Sequence, residues 1–294
     1  MGPTASGKTD LAIAAAEALG DVEIVMADAM CVYRGMDIGT AKPTSGQQAQ
    51  VPHHLLDLAD PWEDFSIGRL WQAAAEALAD IEARGRRALV VGGSGLYVRA
   101  VVDGFTPPPQ YPEVRAELEA NLDTPGLHAR LAELDPKAAA RMEPGNRRRV
   151  VRALEVCLGS GRPFSAWGAM TDYPDTGFEQ VGLWLPREVL RNRIAQRYEE
   201  QMKAGFLDEV AGVFTADPGP SATAAQALGY KELASHLAGE CSLDEALELA
   251  VNRTRRFARR QRVWFRRDPR ITWLGTADDP ARLLPALLGQ WQGP

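Results

Sequence analysis

The chain has 294 residues, of which 45% are hydrophobic, 24% charged and 7% aromatic, enough for one large α/β domain or for a core with a smaller appendage. A collagen, a coiled-coil rod, a disordered tail and a disulfide miniprotein are excluded. The formal charge of −6 is unevenly spread, because Arg253 to Arg270 holds nine arginines against Asp268 alone, a local +8 that leaves −14 on the rest.

Arg141 to Arg152 adds five arginines against Glu143. Two basic blocks on an acidic body suit a protein that meets a polyanion on one face, since attraction to phosphate is local. A solvated helix face would carry the same arginines. The three cysteines, Cys31, Cys157 and Cys241, are far apart with no CxxC pair, so neither a disulfide framework nor a cysteine zinc site is expected. No apolar run approaches the ~18 residues of a bilayer span, and a cytoplasmic address is the expectation.

In chain order, Lys8 to Leu19 reads as a helix rich in alanine and leucine, and Val22 to Ala27 as a short strand ending at Asp28. Ile67 to Arg84 is helical, with Leu70, Trp71, Ala74, Leu78 and Ile81 at three and four spacings. Ala88 to Val91 is a buried strand opening into Gly92-Gly93-Ser94-Gly95. Strands alternating with helices imply one parallel sheet with ligands at the carboxyl ends of its strands, so both glycine loops should face one crevice. The pattern breaks at Pro107-Pro108-Pro109 and stays helical and polar to about Phe178. Val181 to Leu185 resumes as a strand, Glu188 to Ala204 and Leu207 to Phe214 as helices, and Ile271 to Leu274 as a strand that returns to the sheet. The expected fold is α/β, a P-loop NTPase-like parallel-sheet core over 1–109 and 179–294 with an inserted all-helical domain over 110–178.

Gly2-Pro3-Thr4-Ala5-Ser6-Gly7-Lys8-Thr9 fits GxxxxGK[ST] without a mismatch. Glycines let the backbone form a nest of N–H groups for phosphate oxygens, Lys8 adds a point charge, Thr9 offers a hydroxyl to Mg²⁺, and the helix adds its positive end. A loop of this kind is ordinarily launched by a buried strand, yet Met1 alone precedes Gly2, so a start lying further upstream is expected. The loop does not say which phosphate. Val22 to Asp28 resembles the strand that organises Mg²⁺ in ATP-using enzymes, which keeps a small-molecule kinase as the alternative reading.

Less generic are Asp28 to Pro43, Pro52-His53-His54-Leu55-Leu56-Asp57, Gly92 to Tyr97, Arg148 to Val156, Gln226 to Glu232, and Arg260-Gln261-Arg262-Val263-Trp264. In these stretches, which span nearly the whole chain, the sequence resembles the tRNA dimethylallyltransferase family, which prenylates N6 of adenine 37 beside the anticodon. The resemblance implies a loop that holds the diphosphate of dimethylallyl diphosphate, with Mg²⁺ and a tRNA anticodon stem-loop as partners. It also implies no zinc, because the zinc finger of eukaryotic members is absent. A monomer is the default.

Displacing diphosphate from an allylic carbon requires neutralising the departing charge, a task for the amides of Gly2 to Thr9, for Lys8, for Mg²⁺ on Thr9 and for an arginine, with Arg152 the candidate. The adenine amine is a poor nucleophile, so a carboxylate must orient it and take its proton. Asp28 matches the family's catalytic aspartate. Asp28-Ala29-Met30-Cys31 stands where the family commonly has Asp-Ser-x-Gln, and Ser94 with Gly95 matches a substrate-nucleotide position where threonine is usual. Arg148, Arg149 and Arg152 match a substrate-contact stretch, while Arg147 suits a solvated face. The RNA surface implied by the resemblance further includes Gln226, Gly229, Tyr230, Lys231, Arg256, Arg259, Arg260 and Arg266. Phe257, Trp264 and Phe265, at helical spacing, favour the core over base stacking, and His53 and His54 are expected to be structural.

Overall fold

The computed structural model describes residues 1–104, 107–167 and 173–291. It divides into two compact units, residues 1–105 with 175–294, and residues 106–174. Both junctions fall slightly earlier than the expected boundaries at 109/110 and 178/179, and residues 168–172 of the expected insertion lie outside the described residues.

In the first unit, α1 (Lys8–Leu19) starts on Gly7 and stops on Gly20, both at φ 77°, a left-handed conformation that glycine adopts without a Cβ penalty. β1 (Val22–Met26) is buried throughout. Then come α2 (Ser45–Gln50), opened by a reciprocal Thr44–Gln47 capping box, and the short β2 (His53–His54). α3 (Ile67–Ala83) is capped by the Ser66 side chain and buries Leu70, Ala74 and Ile81, the stripe its periodicity predicts. β3 (Arg87–Val91) leads through the second glycine loop to α4 (Gly95–Val102).

The second unit is helical among its described residues: α5 (Pro112–Ala120), α6 (Thr124–Leu134), α7 (Pro136–Ala139) and α8 (Arg147–Ser160). Asp123, Asp135 and Asn146 cap three of these helices by accepting backbone N–H groups. Leu118, Leu127, Leu131, Val150 and Leu154 form its own core. Arg147 is not on a solvated face. It donates to the Glu119 carbonyl at 2.9 Å and the Thr124 hydroxyl at 3.2 Å, tying α8 to α5 and α6.

The first unit resumes with β4 (Gln180–Trp184), α9 (Arg187–Lys203), α10 (Phe206–Thr215), α11 (Tyr230–Leu237), α12 (Leu243–Phe265), β5 (Ile271–Gly275) and α13 (Leu284–Trp291). The single expected sheet is two. β1 lies between β2 and β3, parallel to both, with Ile24 opposite His53 and Leu89, and β4 pairs in parallel with β5 alone. No described strand joins the β3 edge to the β4 edge. Met1 reaches β4, its amine donating to the Val181 carbonyl at 2.6 Å and its carbonyl accepting from Leu183 N–H at 2.8 Å. A cavity of about 670 Å³, lined by β3, by β4 and by apolar side chains of α1, α3 and α13, separates the sheets.

Two structural anchors bear on the site. His53 meets the Val51 carbonyl at 2.7 Å and His54 meets Glu23 at 2.7 Å, where Arg84 and Arg86 also converge, so both histidines are structural. The rings of Phe206 and Tyr230, edge to face at 5.0 Å, pack on Gly39, where an added Cβ would lie 2.1 Å from Phe206. Only glycine lets the loop after Asp28 sit that close.

Candidate active site

The first glycine loop turns through Ala5 at φ 60° and Gly7 at φ 77°, left-handed positions of the kind that alternate with right-handed ones in an anion nest. Gly7 caps α1 without a side-chain bond, so the N–H groups of Gly7, Lys8, Thr9 and Asp10 have no acceptor within the helix and converge at its positive end. Gly2 and Pro3 are buried, and the fully buried Ser6 hydroxyl has no partner among the described residues. Lys8 Nζ donates to the Pro3 carbonyl at 2.8 Å. Loss of solvent lowers its pKa to about 8, partly opposed by the nearby Asp28 charge and reinforced by Arg197.

Asp28 follows β1, where Ala27 N–H donates to the Val91 carbonyl at 2.8 Å and brings the two glycine loops side by side. Asp28 Oδ1 accepts from Met30 N–H at 2.9 Å, which fixes one carboxylate oxygen. Ala29 and Met30 are half-buried, while the buried Cys31 thiol is pushed well up, first by burial and then by the Asp28 charge. In the second loop, Gly92 lies so near the Ala27 carbonyl that a Cβ would come within 2.5 Å of it. A Cβ on Gly93 would lie 2.6 Å from Gln261 Nε2 and 3.4 Å from Lys8 Nζ. Both glycine loops thus meet in one crevice. Ser94 caps α4 without using its side chain in a cap bond, and Gly95 packs against Trp264.

Three residues not anticipated from sequence complete the crevice. Arg193 Nε donates to the Ala5 carbonyl at 2.8 Å, and Arg197 donates to the Thr4 hydroxyl at 3.1 Å and toward the Gly39 carbonyl at 3.5 Å. Their i, i+4 spacing on one face of α9 was a readable signal. Gln261, buried on α12, accepts from Thr4 N–H at 2.8 Å and donates to the Gly93 carbonyl at 2.7 Å, clamping the two loops. Its position inside an arginine run hid it.

Other expected site residues lie elsewhere or are engaged. Tyr230 is fully buried and gives its hydroxyl to Glu209, so it is not part of an RNA-facing surface; burial, then the Glu209 charge, push its phenol far up. Gly229, at φ 88°, packs on Phe206 and Tyr198, while Gln226 and Lys231 are exposed. Arg256, Arg259 and Arg260 are exposed on α12, where Arg260 lies 5.7 Å over Phe257, and Arg266, the residue that caps its C-terminus, is exposed too. Phe265 is core, while Phe257 and Trp264 are half-buried. In the helical unit, Arg148 and Arg149 are exposed. Arg152 is held by the Pro108 carbonyl at 2.6 Å and by Glu155 at 2.7 Å, so its guanidinium serves that unit's own packing and not a diphosphate.

Among the described residues no group of three or more His, Cys, Asp or Glu could hold a metal. The half-buried Thr9 hydroxyl beside the amide cup suits a hard cation whose remaining ligands are diphosphate oxygens and water, so this donor set fits Mg²⁺.

Fold and site together define a mixed helix and strand protein on small parallel sheets that presents an anion cup to a carboxylate, the layout of a group-transfer enzyme. Residues 31–268 match the IPP transferase family. The tRNA dimethylallyltransferase of Geobacter sulfurreducens is 46% identical over 93% of this chain and 90% of that one. That of Kineococcus radiotolerans is 48% identical over 98% and 94%. The solved tRNA isopentenylpyrophosphate transferase of Bacillus halodurans superposes with a TM-score of 0.72 at 37% identity, covering 99% of this chain and 94% of that one. The chain belongs to the IPP transferase family.

Proposed function

We propose that this protein is a tRNA dimethylallyltransferase, a prenyltransferase that modifies tRNA by moving the dimethylallyl group of dimethylallyl diphosphate onto N6 of adenine 37 and releasing diphosphate. The observation that carries the reading is the meeting of Lys8, the amide cup and Asp28 in one crevice of a chain 46% identical to a named tRNA dimethylallyltransferase. An ATP-dependent kinase shares only the loop, and the relatives support prenyl transfer instead.

In this reading the core is P-loop NTPase-like, and its cup grips the diphosphate of the donor. Amides of Gly7, Lys8 and Thr9, with Lys8, Arg193 and Arg197, face the oxygen that gains charge as the allylic C–O bond breaks. Mg²⁺, held through Thr9, supplies further charge neutralisation when bound. Asp28 aligns the N6 amine with the carbon being vacated and accepts its proton as the N–C bond forms. A stacked base does not reach this depth, so adenine 37 must be turned out of the anticodon loop. The helical unit and the exposed arginines of α8 and α12 then serve the anticodon stem-loop, in a cytoplasmic monomer.

The test is incubation with radiolabelled dimethylallyl diphosphate and unmodified tRNA. Label in tRNA, lost when adenine 37 is replaced, supports the reading. Transfer of the ATP γ-phosphate to a small molecule, with no label in tRNA, overturns it.

A further inference from the structure

α9 and α12 pack together and leave on their outer side a groove of about 560 Å³. α9 contributes Arg187 and Arg191, α12 contributes Arg255, Arg259 and Arg262 among others, and Arg266 at the C-cap of α12 adds to them, over a floor that includes Leu190, Ile194 and Ala258. Among the described residues, no acidic side chain lines it. Among the described residues, the one carboxylate within salt-bridge reach of these arginines is Glu188, 3.6 Å from Arg191. Arg255 Nε is buried in this setting without an acceptor among the described residues. Burial pulls the pKa of Arg262 down, and the like charges of Arg187 and Arg266 add to that.

The groove continues into a second cavity of about 300 Å³ formed by Trp184, Trp273 and the same Arg262 and Arg266. Arg262 lies 5.7 Å over the Trp184 ring, and Trp184 is 41% exposed. Crowded guanidinium groups without counter-charge are unfavourable alone and favourable around an anion with several acceptor oxygens. A small inorganic anion would satisfy the arginines yet leave the exposed Trp184 and the half-buried Trp273 uncovered. An aromatic ring joined to phosphates answers both, and in a nucleic-acid strand the two come at a fixed spacing.

We propose that this groove is an RNA track, in which successive phosphates of one strand lie along the arginines while an unpaired base stacks between Trp184 and Trp273. The proposal rests on tRNA being the substrate. It adds Arg187, Arg191, Arg255, Arg262 and the two tryptophans, drawn from α9, β4 and β5 as well as α12, to the surface suggested by Arg256, Arg259 and Arg266. Gln261 on the buried face of α12 holds Thr4 and Gly93, so the helix that grips the strand also braces the diphosphate cup.

The experiment measures binding of an unmodified tRNA transcript to the full chain across a salt series. Arg187→Gln with Arg262→Gln should weaken binding about tenfold and lower the slope of log affinity against log salt by about two, near one per lost phosphate contact. Trp184→Leu should weaken binding without changing the slope, as stacking carries no counterion release. Arg191→Gln, on an exposed side chain, should lower the slope by about one and serves as the check if the double variant does not fold. Pyrophosphate affinity should stay at the parental value in all three. Folded arginine variants with parental tRNA affinity and slope overturn the proposal while the transferase reading stands. Variants that lose tripolyphosphate binding but keep tRNA binding overturn it in favour of a small-anion site. A parent protein that neither binds nor prenylates tRNA overturns both.

Discussion

Lys8 is the side chain whose chemistry the fold alters most usefully. Its pKa of about 8 leaves it cationic at neutral pH, yet poised to lose that charge in mild base. Pyrophosphate affinity is therefore expected to fall as pH rises through about 8, by up to about tenfold per unit. Stability should move the other way. An unfolded lysine stays protonated to its ordinary pKa of 10.5, so between pH 8 and 10 the unfolded state binds more protons and this group's contribution to stability rises with pH. Lys8→Met should abolish both trends relative to the parent, and titration by calorimetry and denaturation would reveal a failure of either. Asp28 has one oxygen fixed by Met30 N–H, which leaves the other for a substrate. Asp28→Asn should cut transfer at least about a hundredfold with pyrophosphate affinity within a factor of about two. Loss of pyrophosphate binding instead would assign Asp28 to metal organisation.

At the level of elements, the loop after Asp28 is held from beneath by α10. Glu209 accepts N–H groups from Asp37 and Ile38, both at 2.8 Å, and from Gly39 at 3.0 Å, and takes the Tyr230 hydroxyl as well. Lys42, nearly buried, ties the same loop to Asp37, Asp57 and the Tyr33 carbonyl. This latch sets where the Gly39 carbonyl meets Arg197. Glu209→Gln turns an acceptor into a donor facing backbone N–H groups, so a loss of roughly 3 kcal/mol is expected, with pyrophosphate binding weakened through Arg197. Denaturant titration giving less than about 1 kcal/mol would show that the loop holds its shape without Glu209.

For the molecule as a whole, the two units have separate hydrophobic cores, and the helical one carries the exposed Arg148 and Arg149. Replacing residues 106–174 by a short linker should lower tRNA affinity by at least about tenfold and leave pyrophosphate affinity unchanged, because the cup and its braces belong entirely to the other unit. Equal loss of both affinities would remove the division of labour proposed for the units.

Local patterns were enough for α1, β1, α3, β3 and α9, because apolar periodicity and glycine punctuation act within a few residues. The phosphate loop was legible for the same reason, its glycines and Lys8 being consecutive. The division into two sheets, the burial of Tyr230, the capture of Arg152 and the clamp by Gln261 were decided only by tertiary structure. Each depends on what a residue meets from a distant stretch of chain: Gln261 faces Thr4 and Gly93, and Arg152 faces Pro108. A side chain's type states which bonds it is able to make, whereas folding decides which partner reaches it first and whether water remains to compete.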